Sequence, residues 1–266
     1  MFATARQIVR FRGLLATLVG RELKARYRGS LLGFLWSLVN PLLLVAVYTF
    51  VFSVVFLPRA TGVDPYALFL ISGLFPWIWI SASLLEGTMS LAHNAGLIRK
   101  AVFPVELLPT VAVLANLAHF LLALPIVGAA LGVGRALGYA VGGWTPLLLP
   151  LVVAIELPLA AGLALGLAAL NVHFKDVRDI VGHLLTFLFF LTPIIYPLAA
   201  VTARPLRLLV RANPFTPFTL AYQELLFHGT VPDAALWLQM AAVSLLAWGA
   251  GSWLFDRLRD TLVEAA

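Results

Sequence analysis

His173, Asp176, Asp179 and His183 are spaced three, three and four residues apart, which on a helix would set two imidazoles and two carboxylates on one side. That donor set can hold zinc or another transition metal. Lys175 and Arg178 are interleaved with it, however, at the start of an apolar run where charges belong in any case. A salt-bridged helix entrance is the expected reading, and no metal is assigned. Two further ionisable residues, His119 and Glu156, fall inside apolar runs. At about 1.5 Å per helical residue they lie roughly 18 and roughly 21 Å from the cytoplasmic ends of their segments. A charge at such depth faces a partner or a cavity. A His119–Glu156 contact, direct or through water, is therefore expected, with a mainly structural role. The chain holds no Gly-x-x-x-x-Gly-Lys-Ser/Thr phosphate loop and no Gly-x-Ser-x-Gly elbow, the signatures of two large enzyme classes. A pore or carrier powered by another protein fits better than an enzyme.

The elements that must position these groups are membrane helices. The 266 residues are 62% hydrophobic and only 11% charged, too few charges to cover a soluble globule. Apolar runs predict six spans over 29–57, 65–85, 107–132, 147–170, 180–196 and 236–255. In hydrocarbon only helices and closed barrels satisfy their backbones, and the runs show no dyad alternation. An all-α membrane protein is expected.

With the N-terminus in the cytoplasm, only Arg59, Arg135, Arg204, Arg207 and Arg211 of the 18 Lys and Arg fall outside. The positive-inside bias puts both termini in the cytoplasm. It also accounts for the net charge of +6 without a nucleic-acid partner. The alternative of a cleaved signal peptide is disfavoured, because Gly13–Gly20 is short and runs into further cations. The chain has no cysteine, so disulfides are excluded.

Between 3 and 28 the chain reads as an amphipathic surface helix. Arg10, Thr17, Arg21, Lys24 and Arg28 form one stripe opposite Ile8, Phe11, Leu15, Leu18 and Val19, an arrangement suited to the bilayer interface. Glu22 and Arg26, four apart on the apolar side, suggest a face packed on protein. Leu91, Ala95 and Ile98 repeat at helical spacing in the cytoplasmic segment, predicting a short helix over 88–100 before Pro104. Between the fifth and sixth spans, 204–230 carries apolar pieces too short to cross, broken by Pro205, Pro214 and Pro217. Re-entrant half-helices are expected there.

Several blocks in order carry a family resemblance. Arg21–Trp36 followed by Asn40-Pro41-Leu42 resembles the opening of type-2 ABC transporter permeases of the polysaccharide exporter branch. Gly73-Leu74-Phe75-Pro76-Trp77, Asn94–Pro104, Phe174–Asp179, Thr192–Pro197 and Asn213-Pro214 resemble later blocks of that family. The resemblance implies a homodimeric permease in the bacterial inner membrane, joined to two copies of a separate ABC ATPase. That subunit would carry the ATP and Mg, so this chain binds no cofactor itself. The cargo implied is a lipid-linked glycan such as O-antigen, teichoic acid or capsule. The segment 3–28 becomes an interface helix, 88–100 a coupling helix and 204–230 a gate segment.

Coupling to the ATPase is then expected of Glu22, Arg26, Leu91, Asn94, Leu97, Ile98, Arg99 and Lys100. Arg26 and Arg28 are candidates for the lipid headgroup. Trp36, Tyr48, Phe52, Phe75, Trp77, Trp79 and Tyr196 are candidates for a sugar-stacking channel wall, although aromatics near span ends also form interfacial belts. Rival readings are a drug or small-lipid exporter of the same superfamily, a secondary transporter, for which no internal repeat is visible, and a membrane enzyme acting on polyprenyl lipids.

Overall fold

In lipid an apolar run has to bond its own backbone, and each described run is helical. The computed structural model describes residues 2–26, 29, 33–51, 63–100 and 104–265. Its helices are α1 (Phe2–Arg10), α2 (Arg12–Arg26), α3 (Trp36–Phe50), α4 (Tyr66–His93), α5 (Ala95–Lys100), α6 (Leu107–Ala136), α7 (Leu149–His173), α8 (Val177–Leu191), α9 (Arg204–Ala212), α10 (Thr216–Gln223) and α11 (Ala234–Ala265). No strand occurs among the described residues.

Among the described residues, four segments are long and apolar enough to cross a bilayer: Tyr66–His93, Leu107–Ala136, Thr145–His173 and Ala234–Arg259. The other two expected spans appear as shorter helices, α3 and α8, of 15 residues each. The run expected over 180–196 stops at Leu191 because Thr192 precedes Pro193 and turns extended, with ψ 136°. A proline disfavours the α region for the residue before it. Most of the first expected span beyond α3, including Phe52, lies outside the described residues, as does Arg28.

Three sequence expectations need correction. The surface helix is two helices, broken at Phe11, and its apolar side does not face lipid. Leu15 and Leu18 are buried against Leu107 and Val111 of α6, with Ile8, Phe11 and Val19 packed around them. The second span does not end at Leu85. Thr88 and Ser90, expected in a separate short helix, donate back to the carbonyls of Leu84 and Gly87, each at 2.7 Å. Their hydroxyls are satisfied within the helix, so α4 runs on to His93 and the expected helix over 88–100 is split at Asn94. Finally, the His173–His183 segment is not one helix. α7 ends at His173, Phe174 is extended, and α8 begins at Val177. The four donors therefore stand on either side of a turn, and no group of three or more potential metal ligands forms among the described residues.

α4 is the hub: 78% of its most apolar stretch is buried, against 17% for α11, most of whose surface points outward. Around α4 the core is aromatic, with Trp79 stacked on Phe120 at 5.4 Å and Phe120 set edge-on to Tyr222 at 6.0 Å. α7 and α11 approach backbone to backbone. A Cβ on Gly251 would overlap the Gly162 carbonyl, and one on Gly162 would overlap the Trp248 backbone. Small residues permit this kind of close packing in membranes, where burial against lipid provides no driving force. At one end of the bundle the two chain ends meet: Thr4 of α1 donates to Asp256 of α11 at 2.8 Å, and Arg259 reaches Glu106 at the start of α6 at 3.5 Å.

Candidate functional site: a polar junction and the cavities around it

Arg26, at the last turn of α2, is the centre of a polar junction. Its guanidinium pairs with Glu86 of α4 in a close contact, donates to Asn116 Oδ1 of α6 at 2.9 Å, approaches His119 Nδ1 at 3.4 Å and lies 3.7 Å from Glu22 one turn earlier. Asn116 closes the ring by donating to Glu86 Oε2 at 2.6 Å and to the Ala112 carbonyl at 2.9 Å. A planar fork of donors suits a site in which one cation must meet several oxygens at once. The i,i+4 spacing of Glu22 and Arg26 was readable in sequence. Asn116 is an uncharged residue in an apolar run that carries no spacing signal, though an amide there has to find a partner.

The expected His119–Glu156 pairing is corrected by this geometry. His119 faces Arg26, whereas Glu156, buried in α7, accepts a hydrogen bond from Tyr222 of α10 at 2.8 Å. The two project toward different neighbours. Tyr222 belongs to a set of hydrogen bonds that hold the segment after Thr192 to itself and to the bundle, among them Tyr66 donating to the Ile195 carbonyl at 3.0 Å. Gln223 donates to the Pro193 carbonyl at 2.7 Å, Asn213 to Thr192 Oγ1 at 2.8 Å, and Thr145 to the Leu225 carbonyl at 2.6 Å. Outside the spans, burial raises the Glu224 carboxyl from its ordinary value, with the charge of Asp233 adding to the effect.

Cavities surround the junction. One of about 470 Å³ lies between α2, α4 and α6 and is lined by Arg21, Glu22, Arg26, Glu86, Ser90, His93 and Asn94 among others, so the candidate coupling residues Glu22, Arg26 and Asn94 share it. On the far side of Asn116 and His119 a smaller cavity of about 160 Å³ is lined by Trp36, Phe75 and Trp79. The polar junction thus separates a charged cleft from an aromatic one.

The matching family is the ABC-2 type transporter, aligned over residues 13–227, from α2 through the turn after α10. The chain belongs to the ABC-2 type transporter family. It is 39% identical over 269 residues, covering all of both chains, to an O-antigen export system permease protein, RfbA, of Myxococcus xanthus. Over 221 residues it is 31% identical to an RfbA permease protein of Klebsiella pneumoniae, covering 82% of each chain.

In this ABC-2 transporter the remaining candidates fall into distinct places. Leu91 and Ile98 are buried in a cluster with Val105, Leu108, Leu165 and Phe255. They anchor the α4–α5 bend from within, and Asn94 donates to the Ser90 carbonyl at its corner. Leu97 is half-buried. The side chains of Arg99 and Lys100 lie outside the described residues. A cavity of about 330 Å³ joins this bend to the α7–α8 turn, with His93, Asn171, Lys175 and Arg178 on its walls. Tyr48 and Trp77 line a wider groove of about 570 Å³ between α3, α4 and α8, where both lie against Phe189, at 5.9 and 6.0 Å. Tyr196 is half-buried, its hydroxyl donating to the carbonyls of Phe190 and Leu191 at 3.0 Å. Phe75, Trp77 and Trp79 are buried within the chain and Trp36 is exposed.

Proposed function

We propose that this chain is the permease of an ATP-driven exporter that moves a lipid-linked polysaccharide of the O-antigen class across the bacterial inner membrane. The observation that carries the reading is the full-length similarity, at 39% identity, to an O-antigen export permease. α3 and α8 complete six crossings with the four long helices, both termini lie in the cytoplasm, and α9 with α10 forms a re-entrant segment at the outer mouth. The meeting of α1 with the C-terminal part of α11 at one end of the bundle supports placing both ends on one side.

The permease works as a homodimer with two copies of an ABC ATPase, which carry the ATP and Mg. The bend at Asn94 and helix α5, with Arg99 and Lys100, seat in the ATPase. Because α4 is continuous from that bend to Tyr66, a push on α5 is delivered along α4. The Arg26 junction, tied to the same helix at Glu86, carries it to α2 and α6. The polymer passes between the two copies, and the groove of Tyr48, Trp77 and Phe189 supplies aromatic faces for its sugars. Arg28 and the exposed Arg21 offer charge to the diphosphate of the carrier lipid. Arg26 joins them only when its bonds to Glu86 and Glu22 open.

The test is genetic and biochemical together. Deletion of the gene should remove surface polysaccharide while lipid-linked polymer accumulates inside, and the purified chain should bring a soluble ABC ATPase with it. Surface polysaccharide that persists, alongside loss of resistance to an amphiphilic drug, would instead establish the small-molecule exporter.

A further inference from the structure

Helix α9 has a character that the export reading leaves unused. Arg204, Arg207 and Arg211 are spaced three and four apart, and at about 100° per residue they fall within an arc of about 60°. Leu206 and Leu209 lie on the opposite side and are 48% and 51% exposed, and Leu208, on the flank between the faces, is 61% exposed. The helix is held to the protein along its remaining edge. Val210 is buried, its carbonyl accepts from Thr216 Oγ1 at 2.6 Å, and Arg207 Nε donates to the Val201 carbonyl at 2.8 Å. No carboxylate among the described residues forms an ion pair with any of the three arginines.

A nine-residue helix with bare leucines on one side and, on the other, guanidinium groups that form no ion pair among the described residues is built for a boundary between hydrocarbon and water. Arginine adds a preference within that boundary, because its fork matches phosphate oxygens and its aliphatic stem can lie along acyl chains while the head reaches the surface.

We propose that α9 is an outer-leaflet lipid-binding helix: Leu206 and Leu209 enter the acyl region, and Arg204, Arg207 and Arg211 take the phosphates of anionic phospholipid. The proposal rests on the topology given under the proposed function, which places α9 on the outer face. Its occupant is argued from charge. Three cations with no counter-ion among the described residues call for anions, and each cation near a charged leaflet favours anionic lipid roughly fivefold. The consequence is a local collar of anionic lipid beside the segment that closes the outer mouth.

The experiment uses the full exporter in nanodiscs and exploits the absence of cysteine from this chain. A nitrobenzoxadiazole dye on Leu209→Cys should emit in the blue-shifted range and be quenched by spin labels placed shallow on the acyl chain. Native mass spectrometry should show phosphatidylglycerol retained over phosphatidylcholine, with that preference falling at least tenfold in the R204Q/R207Q/R211Q variant. A dye unquenched by any spin-labelled lipid, or a phosphatidylglycerol preference unchanged in the triple variant, overturns the proposal. An impermeant thiol reagent tested on Val231→Cys in spheroplasts reports the topology separately, so an inverted chain is distinguished from a failed lipid contact.

Discussion

Replacing Arg26 by Met tests whether the junction is one energetic unit. The substitution keeps much of the aliphatic stem and removes the charge, stranding Glu86 and Glu22 and leaving Asn116 Oδ1 without its donor. The side chains of Arg26 and Glu86 are 21% and 40% exposed, so the cost falls between two limits. Exposed ion pairs contribute about 0–1 kcal/mol, and breaking a buried pair costs about 3–5 kcal/mol. About 2 kcal/mol is expected for Arg26→Met. Glu86→Gln leaves Arg26 with Asn116 and Glu22 and should cost about 1 kcal/mol. The double variant no longer holds a stranded Glu86, so its cost should fall short of the sum by about 1 kcal/mol. The assay is thermal unfolding in nanodiscs followed by the intrinsic fluorescence of the 7 tryptophans. About 2–4 °C per kcal/mol puts the Arg26→Met shift at about 4–8 °C. Costs that simply add, to within about 0.3–0.5 kcal/mol, would refute the reasoning, since the pair would then carry no shared energy.

Three further outcomes follow from the packing. Gly251→Ala must push α11 away from the Gly162 carbonyl and should destabilise by about 1–3 kcal/mol, whereas Ala at Gly128, which meets nothing within 4 Å, should be neutral in the same thermal scan. Glu156→Gln keeps an acceptor for the Tyr222 hydroxyl and should export nearly as wild type. Glu156→Leu strands that hydroxyl and should cost about 1–3 kcal/mol, and equal behaviour of the two variants would remove Tyr222 as the reason for a buried carboxyl. Ile98→Asp puts a charge into the cluster with Leu91 and Phe255, so unfolding of the α4–α5 bend should lower ATPase co-purification. Leu97→Asp, at a half-buried site, should lower it without a comparable loss of thermal stability.

Much of the architecture was legible in the apolar runs, because a helix that spans lipid needs length and hydrophobicity and both are plain in a sequence. Where expectation and structure part, the cause is usually azimuth or local bonding. Depth places His119 and Glu156 at one level but says nothing of direction around each helix, and their partners proved to be Arg26 and Tyr222. The spacings of His173, Asp176, Asp179 and His183 mimic a helix face, yet an extended Phe174 interrupts it. Polar residues after Leu85 read as the start of a separate short helix, yet Thr88 and Ser90 satisfy themselves within α4. Asn116 was invisible for a different reason: its value depends on Arg26, 90 residues earlier. The same holds after α8, where Thr192 and Asn213, in two separate blocks resembling the family, meet through one hydrogen bond.

The order of the junction along the chain bears on how the protein is made. Arg26 leaves the ribosome first, on a helix that needs no insertion, and it already carries Glu22 as a companion. When α4 is made, with Glu86 near its C-terminal end, the Arg26 cation is already present. When α6 follows with Asn116 and His119, both find donors and acceptors already assembled. Each polar residue of the junction thus meets a partner synthesised before it, whereas Glu156 of α7 has to await Tyr222 of α10. A chain deprived of α2 would have to thread α4 and α6 without that receiver, so its defect would appear during biogenesis, before any transport cycle begins.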